Sequence, residues 1–318
     1  MTDERFSDEL LDEGLDALIA DLPGKAAKVV FTTGAGISAE SGIPTFRGPE
    51  GYWTVGAREY RPQELATREA FGELPREVWR WYLYRRGVCN GADPNPAHYA
   101  LARLEEALGD RFSLATQNVD GLHLRAGNNL ARTYEVHGNT DYMRPNEGDR
   151  SPIPIPESIP RIAKDDPLTD EMWAQLVAPD GRRTRPHVLW FDEFYEEELF
   201  RSDTALRAAS EADLMVVVGT SGAAAIPYHM AAAVAEHDGM LIDINPNENP
   251  FSDHACDRAR KGKGLWLRGP GTRWVPRLVD KLIAAIGQQP ARLALAGGAS
   301  RGTSAPCEAP LRRSHSPC

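Results

Sequence analysis

Five short runs of consecutive apolar or β-branched residues punctuate the chain: 28–33 (KVVFTT), 111–116 (RFSLAT), 133–136 (TYEV), 213–219 (DLMVVVG) and 240–244 (MLIDI). Between them, apolar residues recur at helical spacing over 95–108, 203–212, 227–236 and 273–286. Runs that stay apolar suit strands buried on both faces. Their alternation with helices predicts a doubly wound parallel α/β sheet. Ligands on such sheets gather at the carboxyl ends of the strands.

Two regions break this rhythm. Residues 49–91 carry Trp53, Trp79, Trp81, Tyr82 and Tyr84. Residues 141–185 are rich in Pro, Asp and Arg, with SPIPIPESIP near their start. Prolines so spaced cannot sit inside a helix or a central strand. Both regions read as insertions that together build a small helical and loop lobe. The sheet domain is then expected from residues 1–48, 92–140 and 186–287. Residues 288–318 contain no Phe, Trp or Tyr and many Ala, Gly, Ser and Pro, so a disordered tail is expected there.

Charge narrows the partners. There are 46 acidic against 36 basic residues, a formal net charge of −10. That excess argues against direct nucleic-acid binding and against an anionic membrane surface, which require Lys and Arg in excess. No apolar stretch approaches the ~20 residues of a membrane span. The acidic start does not read as a secretory signal. Cys89, Cys256, Cys307 and Cys318 form no CxxC pair, so neither a disulfide scaffold nor a cysteine-rich zinc site is expected. A cytoplasmic protein is the expectation.

Three segments at predicted strand ends carry candidate chemistry. Residues 34–42 (GAGISAESG) follow the first strand, and glycines there let a backbone approach a phosphate. A tight connection without ligand fits the same residues, but Arg47 shortly afterwards suits a diphosphate or a ribose. Residues 116–120 (TQNVD) end the second strand with side chains suited to a ribose or an amide, and equally to a helix cap. His137, in His137-Gly138-Asn139, ends a third strand as a structural residue or a general base.

Six motifs occur together and in order: GAGISAESGIPTFRG (34–48), TQNVDGLHLRAG (116–127), EVHGN (135–139), RPHVLWFDE (185–193), GTSGAAAIP (219–227) and DINPNEN (243–249). With this order and spacing the chain resembles the sirtuin (Sir2) family of NAD-dependent protein deacylases over residues 26–286. The resemblance implies a Rossmann-like fold with NAD across the carboxyl edge of the sheet. The diphosphate would lie on Gly34, Ala35 and Gly36, with Ala39, Glu40, Phe46 and Arg47 in the same cofactor loop. Gln117 and Asn118 would hold the nicotinamide ribose, and Asp120 the carboxamide. A second loop of Gly219, Thr220 and Ser221 would complete the diphosphate site. Asn245, Pro246 and Asn247 would contact the adenosine ribose, and Gly271 the adenine side. His137 would be the general base, with Asn118 and Asp120 as its catalytic companions. Loss of nicotinamide makes the ribose carbon electrophilic beside an acyl-lysine oxygen. His137 then takes a ribose hydroxyl proton, and the products are lysine, nicotinamide and O-acyl-ADP-ribose.

The partners so implied are proteins or peptides with acylated lysines. Tyr82 and Arg85, three apart, share a helix face. They resemble the YxxR signature of sirtuins that accept succinyl or malonyl lysine, in which both bind the acyl carboxylate; Ala66 matches the small residue that widens the acyl pocket. Phe191, Asp192 and Glu193 occupy the substrate-pairing segment, where the family usually reads Phe-Gly-Glu. Asp192 is therefore expected to alter peptide binding. A second departure concerns metal. Most sirtuins hold a structural zinc with two CxxC pairs, whereas this chain has Pro145, Gly148, Val177 and Asp180 there. No zinc is expected, and Met172, Trp173 and Leu176 are expected to help pack the lobe instead. The alternatives are a plain deacetylase, an NAD-cleaving or ADP-ribosyl-transferring relative, and an NAD- or ADP-ribose-sensing module without catalysis.

Overall fold

The apolar runs form strands whose two faces are both covered. The computed structural model describes residues 7–44, 53–55 and 58–287. Chain order begins with α1 (Asp8–Ala20), β1 (Val29–Thr33) and the hairpin β2 (Trp53–Val55) and β3 (Arg58–Tyr60). Helices α2 (Pro62–Leu65), α3 (Arg68–Glu73), α4 (Pro75–Gly91) and α5 (Pro96–Leu108) follow. Next come β4 (Phe112–Thr116), α6 (Leu122–Ala126), β5 (Thr133–Glu135), β6 (Gly138–Pro145), β7 (Ile153–Pro154), α7 (Asp170–Gln175) and β8 (Thr184–Val188). The chain continues through α8 (Glu197–Phe200), α9 (Ser202–Ser210), β9 (Leu214–Val218), α10 (Ala225–Glu236) and β10 (Met240–Asn245). It closes with α11 (Pro250–Ala259), β11 (Gly264–Arg268) and α12 (Gly271–Ile286).

Six strands form one sheet in the order β11-β10-β9-β1-β4-β5, with every neighbouring pair parallel. Alternate side chains of each strand enter different cores. Val29, Phe31, Leu114, Val216 and Ile242 pack under α1, α5 and α12. Val30, Ala115, Met215, Val217 and Leu241 pack under α9, α10 and α11. Register then positions the site. Thr33 pairs with both Thr116 and Val218, Thr116 with Glu135, and Val218 with Ile244. The next residues, Gly34, Gln117 and Gly219, therefore leave the sheet along one line with Asn245, the last residue of β10.

A three-stranded antiparallel sheet, β7-β6-β8, and the two-stranded β2-β3 stand apart from it. Strand β6 starts at Gly138 and β8 ends at Val188, so this small sheet crosses the expected seams at 140/141 and 185/186. Its cluster holds Trp79, Leu83, Met143, Ile155, Ile159 and Leu176, with Met172 and Trp173 packed against it.

Several elements were not evident in the sequence. Helices α1 and α11 and strand β11 fell outside the predicted elements. The glycine-rich loop does not open an α-helix as a strand-to-helix turn would. It makes two 3-10 turns, Ala35–Ile37 and Ala39–Ser41, broken by Gly42 at φ 85°. Asn95 ties that loop to α5: its side chain caps Ala97 N–H at 3.0 Å and donates to the Ile37 carbonyl at 2.7 Å. No helix among the described residues is long and apolar enough to cross a membrane.

Candidate active site

Two loops leave adjacent strands and lock together by their backbones. Gly34 N–H donates to the Val218 carbonyl at 2.9 Å, and Gly36 N–H to the Gly219 carbonyl at 2.8 Å. A Cβ on Gly36 would stand 2.7 Å from Gly219 Cα and its carbonyl oxygen. Gly219, at φ 63°, would place a Cβ 2.5 Å from Ile37 N. Neither position admits a side chain. The result is a cradle of bare backbone at the sheet's edge, which fits a group needing close backbone approach, such as a diphosphate. Thr220 is buried and Ser221 exposed beside it. Asn245 Nδ2 donates to the Thr220 carbonyl at 2.9 Å, fixing that second loop from β10, while Pro246 and Asn247 are exposed. Gly271 packs its Cα near Val218 and Ile37. Ala39 and Glu40 are exposed, and Glu40 accepts a hydrogen bond from the Thr272 hydroxyl at 2.6 Å. Phe46 and Arg47 lie outside the described residues, as does the tail from 288.

Beneath the cradle runs a buried polar network. Asn95 N–H donates to His98 Nδ1 at 3.3 Å, so His98 carries its proton on Nε2, 3.4 Å from Ser38 Oγ. Ser38 Oγ also accepts Asn118 Nδ2 at 3.0 Å and passes its one proton to Asp120 Oδ2 at 2.7 Å. Leu122 N–H satisfies the other Asp120 oxygen at 2.9 Å. Burial pushes the Asp120 carboxyl up and the His98 imidazole down to about 4. Gln117 is held between the Thr33 carbonyl and the Thr220 hydroxyl, each at 3.3 Å.

His137 sits half-buried at the end of β5. Its Nδ1 lies 3.1 Å from the Gln117 carbonyl, an acceptor only, so Nδ1 bears the proton. Nε2 is left as an acceptor and lies 2.9 Å from the Tyr195 hydroxyl. Burial lowers the imidazole to about 4, opposed by the Gln117 hydrogen bond. The ring is therefore neutral at physiological pH, with a lone pair on the outward nitrogen.

The acyl-side candidates meet in one cluster. Ala66, Tyr82, Val119, Val188 and Trp190 are buried together with Leu65, Val78 and Trp81. Trp190 Nε1 donates to the Tyr82 hydroxyl oxygen at 3.0 Å, and burial pushes that phenol up. Arg85, one turn along α4, stacks 5.4 Å from the Trp81 ring centroid. Its positive charge opposes the burial-driven rise of both the Tyr82 phenol and the Asp120 carboxyl. Phe191 N–H donates to the Ala66 carbonyl at 2.9 Å while its ring is 63% exposed. Asp192 accepts Arg68 N–H at 2.8 Å and Glu69 N–H at 3.3 Å, and so caps α3; its φ is not positive. Glu193 is paired with Arg185 and accepts Trp190 N–H at 3.0 Å.

Sequence reading missed Ser38, His98, Trp190 and Tyr195 as site members. Their contacts span 58 to 108 residues, and no local spacing signals them. Among the described residues no three His, Cys, Asp or Glu side chains gather as a metal site.

Comparison with known proteins agrees with this geometry. The family model described as Sir2 family matches residues 34–225. A Leptospira interrogans protein named NAD-dependent protein deacylase is 36% identical over 260 residues, 81% of this chain and 94% of its own. A Deinococcus radiodurans protein of the same name is 38% identical over 248 residues, 76% and 93% of the two chains. A solved Sir2 homologue in complex with NAD superposes with a TM-score of 0.67 at 34% identity, covering 86% of this chain and 94% of that one.

Proposed function

The chain belongs to the Sir2 family, and on that premise we propose that it uses NAD to remove acyl groups from lysine side chains of proteins, favouring acidic acyl groups such as succinyl and malonyl. The observation that carries the reading is the state of His137. A neutral imidazole, protonated on Nδ1 and an acceptor at Nε2, stands at the sheet edge beside a backbone cradle. NAD bound there supplies an electrophilic ribose carbon when its nicotinamide leaves.

The chain's own residues do the rest. Gly34, Ala35 and Gly36 with Gly219, Thr220 and Ser221 would seat the diphosphate. Asn245, Pro246, Asn247 and Gly271 would face the adenosine side. Gln117 and Asn118 would hold the reacting ribose, and Asp120 the carboxamide; Ser38, backed by His98, braces Asn118 and Asp120, and Thr33 and Thr220 hold Gln117. Nε2 of His137 would take the ribose hydroxyl proton. We read residues 1–48, 92–140 and 186–287 as the NAD-binding part, and 49–91 with 141–185 as the lobe that closes the acyl site. A cytoplasmic location fits cysteines without CxxC pairing.

The acidic preference rests on α4. Trp190 donates to the Tyr82 oxygen, which leaves the Tyr82 proton to donate to an acyl carboxylate. Arg85 would add a forked, charge-assisted partner. The apolar cluster around them favours any acyl chain, but an unpaired carboxylate in it is costly. The test is a panel of acetyl-, malonyl- and succinyl-lysine peptides with NAD, following nicotinamide release and peptide mass. Faster turnover of the acidic peptides is expected; preference for acetyl-lysine refutes the acidic reading and leaves deacylation standing.

A further inference from the structure

Tyr195 lies two residues beyond the Phe191-Asp192-Glu193 segment, and its hydroxyl faces the base. Nδ1 of His137 already donates to Gln117, so Nε2 can only accept, and the Tyr195 hydroxyl 2.9 Å away gives it its proton. The two rings stack with centroids 5.8 Å apart and planes 28° from parallel. Burial pushes the Tyr195 phenol up to about 12, so it remains a donor.

The same lone pair that would receive the ribose proton is thus already capped by a phenol O–H. We propose that Tyr195 is a positioning residue that gates the base: its hydroxyl holds Nε2 in the ligand-free enzyme and gives way to the ribose hydroxyl on binding. The exchange replaces one O–H donor by another, so the imidazole keeps its tautomer and its neutral charge throughout. The flanks of Tyr195 are anchored. Glu193 is paired with Arg185, and Glu196 with Arg150 at 2.5 Å. Phe194 between them is 87% exposed. Release therefore needs only a local swing of residues 194–195.

This inference rests on the deacylase reading, but two of its tests do not depend on turnover. Tyr195→Phe keeps the ring against His137 and removes the hydroxyl alone. In the ligand-free proteins, nitrogen NMR should show His137 protonated on Nδ1 in both, with the Nε2 resonance moved in the variant. Calorimetry should show ADP-ribose binding tighter in Tyr195→Phe by about 3- to 10-fold, the worth of one neutral hydrogen bond that no longer competes. Tyr195→Leu, which also removes the ring, should shift binding the same way. In turnover, the variant's KM for NAD should fall by a similar factor. Unchanged ADP-ribose affinity overturns the gate. So does a fall in kcat at constant KM, which marks a residue that only orients the base. Absent deacylation by the unmodified protein overturns the functional reading instead, and leaves the NMR and calorimetric results to decide the gate.

Discussion

The edge of the six-stranded sheet and the small β7-β6-β8 lobe are held together by different means. At the edge, identity is dictated atom by atom. Gly36 and Gly219 touch backbone to backbone, and Ser38, Asn118 and Asp120 share a fixed number of protons. In the lobe, where the family resemblance leads one to expect zinc ligands, packing and ion pairs occupy the same ground. Val177 forms an isolated antiparallel bridge with Arg183. Asp180 pairs with Arg182, whose guanidinium also reaches the Glu147 carbonyl. Leu176 is fully buried among isoleucines and Trp79. A ligand site constrains residue types; a scaffold constrains only volume and polarity. The edge should therefore fail through lost binding or chemistry, and the lobe through lost stability.

Among residues that bind rather than react, the largest expected effect is at Arg85 of α4. Arg85→Met should lower kcat/KM for succinyl-lysine peptides by about 10- to 1000-fold, from the loss of a charged hydrogen bond and an unpaired carboxylate. Acetyl-lysine turnover should change little. Equal losses on both substrates would make Arg85 a structural residue of α4.

Next comes the cradle. Gly36→Ala forces a Cβ into Gly219, and overpacking of this kind costs about 1–3 kcal/mol. NAD affinity should fall by about 10- to 100-fold, read by calorimetry. Unimpaired binding would mean that the two loops can part without penalty.

In the lobe, Leu176→Ala should cost about 2–5 kcal/mol of unfolding free energy. Chelators should leave the melting temperature of the unmodified protein unchanged, if Pro145, Gly148, Val177 and Asp180, which offer no thiolate, hold no structural metal. One tightly held zinc per chain would contradict this. Asp192→Gly should cost only about 1 kcal/mol, the scale of a lost helix cap at α3.

The smallest effect is an absence. The proposed base needs a neutral His137, and burial lowers its folded pKa to about 4, below the ordinary value of 6.5. Its protonation should therefore not lower kcat/KM until the pH drops below about 5. The same depression has a sign for stability. The unfolded chain takes up the proton first, so acid weakens the fold progressively from pH 6.5 towards 4. An acidic limb in kcat/KM near 6.5 would contradict the burial of this ring.

The same contrast explains what the sequence disclosed. The central strands were legible because double-sided burial leaves runs such as 214–218 without a polar residue. The ends of those strands were legible because glycines and amides follow them directly. Strand β11 was not, since only Leu265, Trp266 and Leu267 stand between flanking Gly264 and Arg268. Strands β6 and β8 mix Arg, Asp, His and Pro with apolar residues, and their arginines are buried by pairing with Glu193. Asp192 gave no sign of its capping role, because its partners at 68 and 69 are more than 120 residues away. Ser38 lies inside a motif that draws attention to its glycines, and Tyr195 just after one that ends at Glu193.

The central claim is that the sheet edge performs NAD-dependent deacylation through His137. It is tested most directly by His137→Ala with NAD and a succinyl-lysine peptide, following peptide mass and nicotinamide together, with NAD binding measured in parallel. The account predicts retained folding and NAD binding with peptide deacylation lost. Deacylation near the unmodified rate would contradict it.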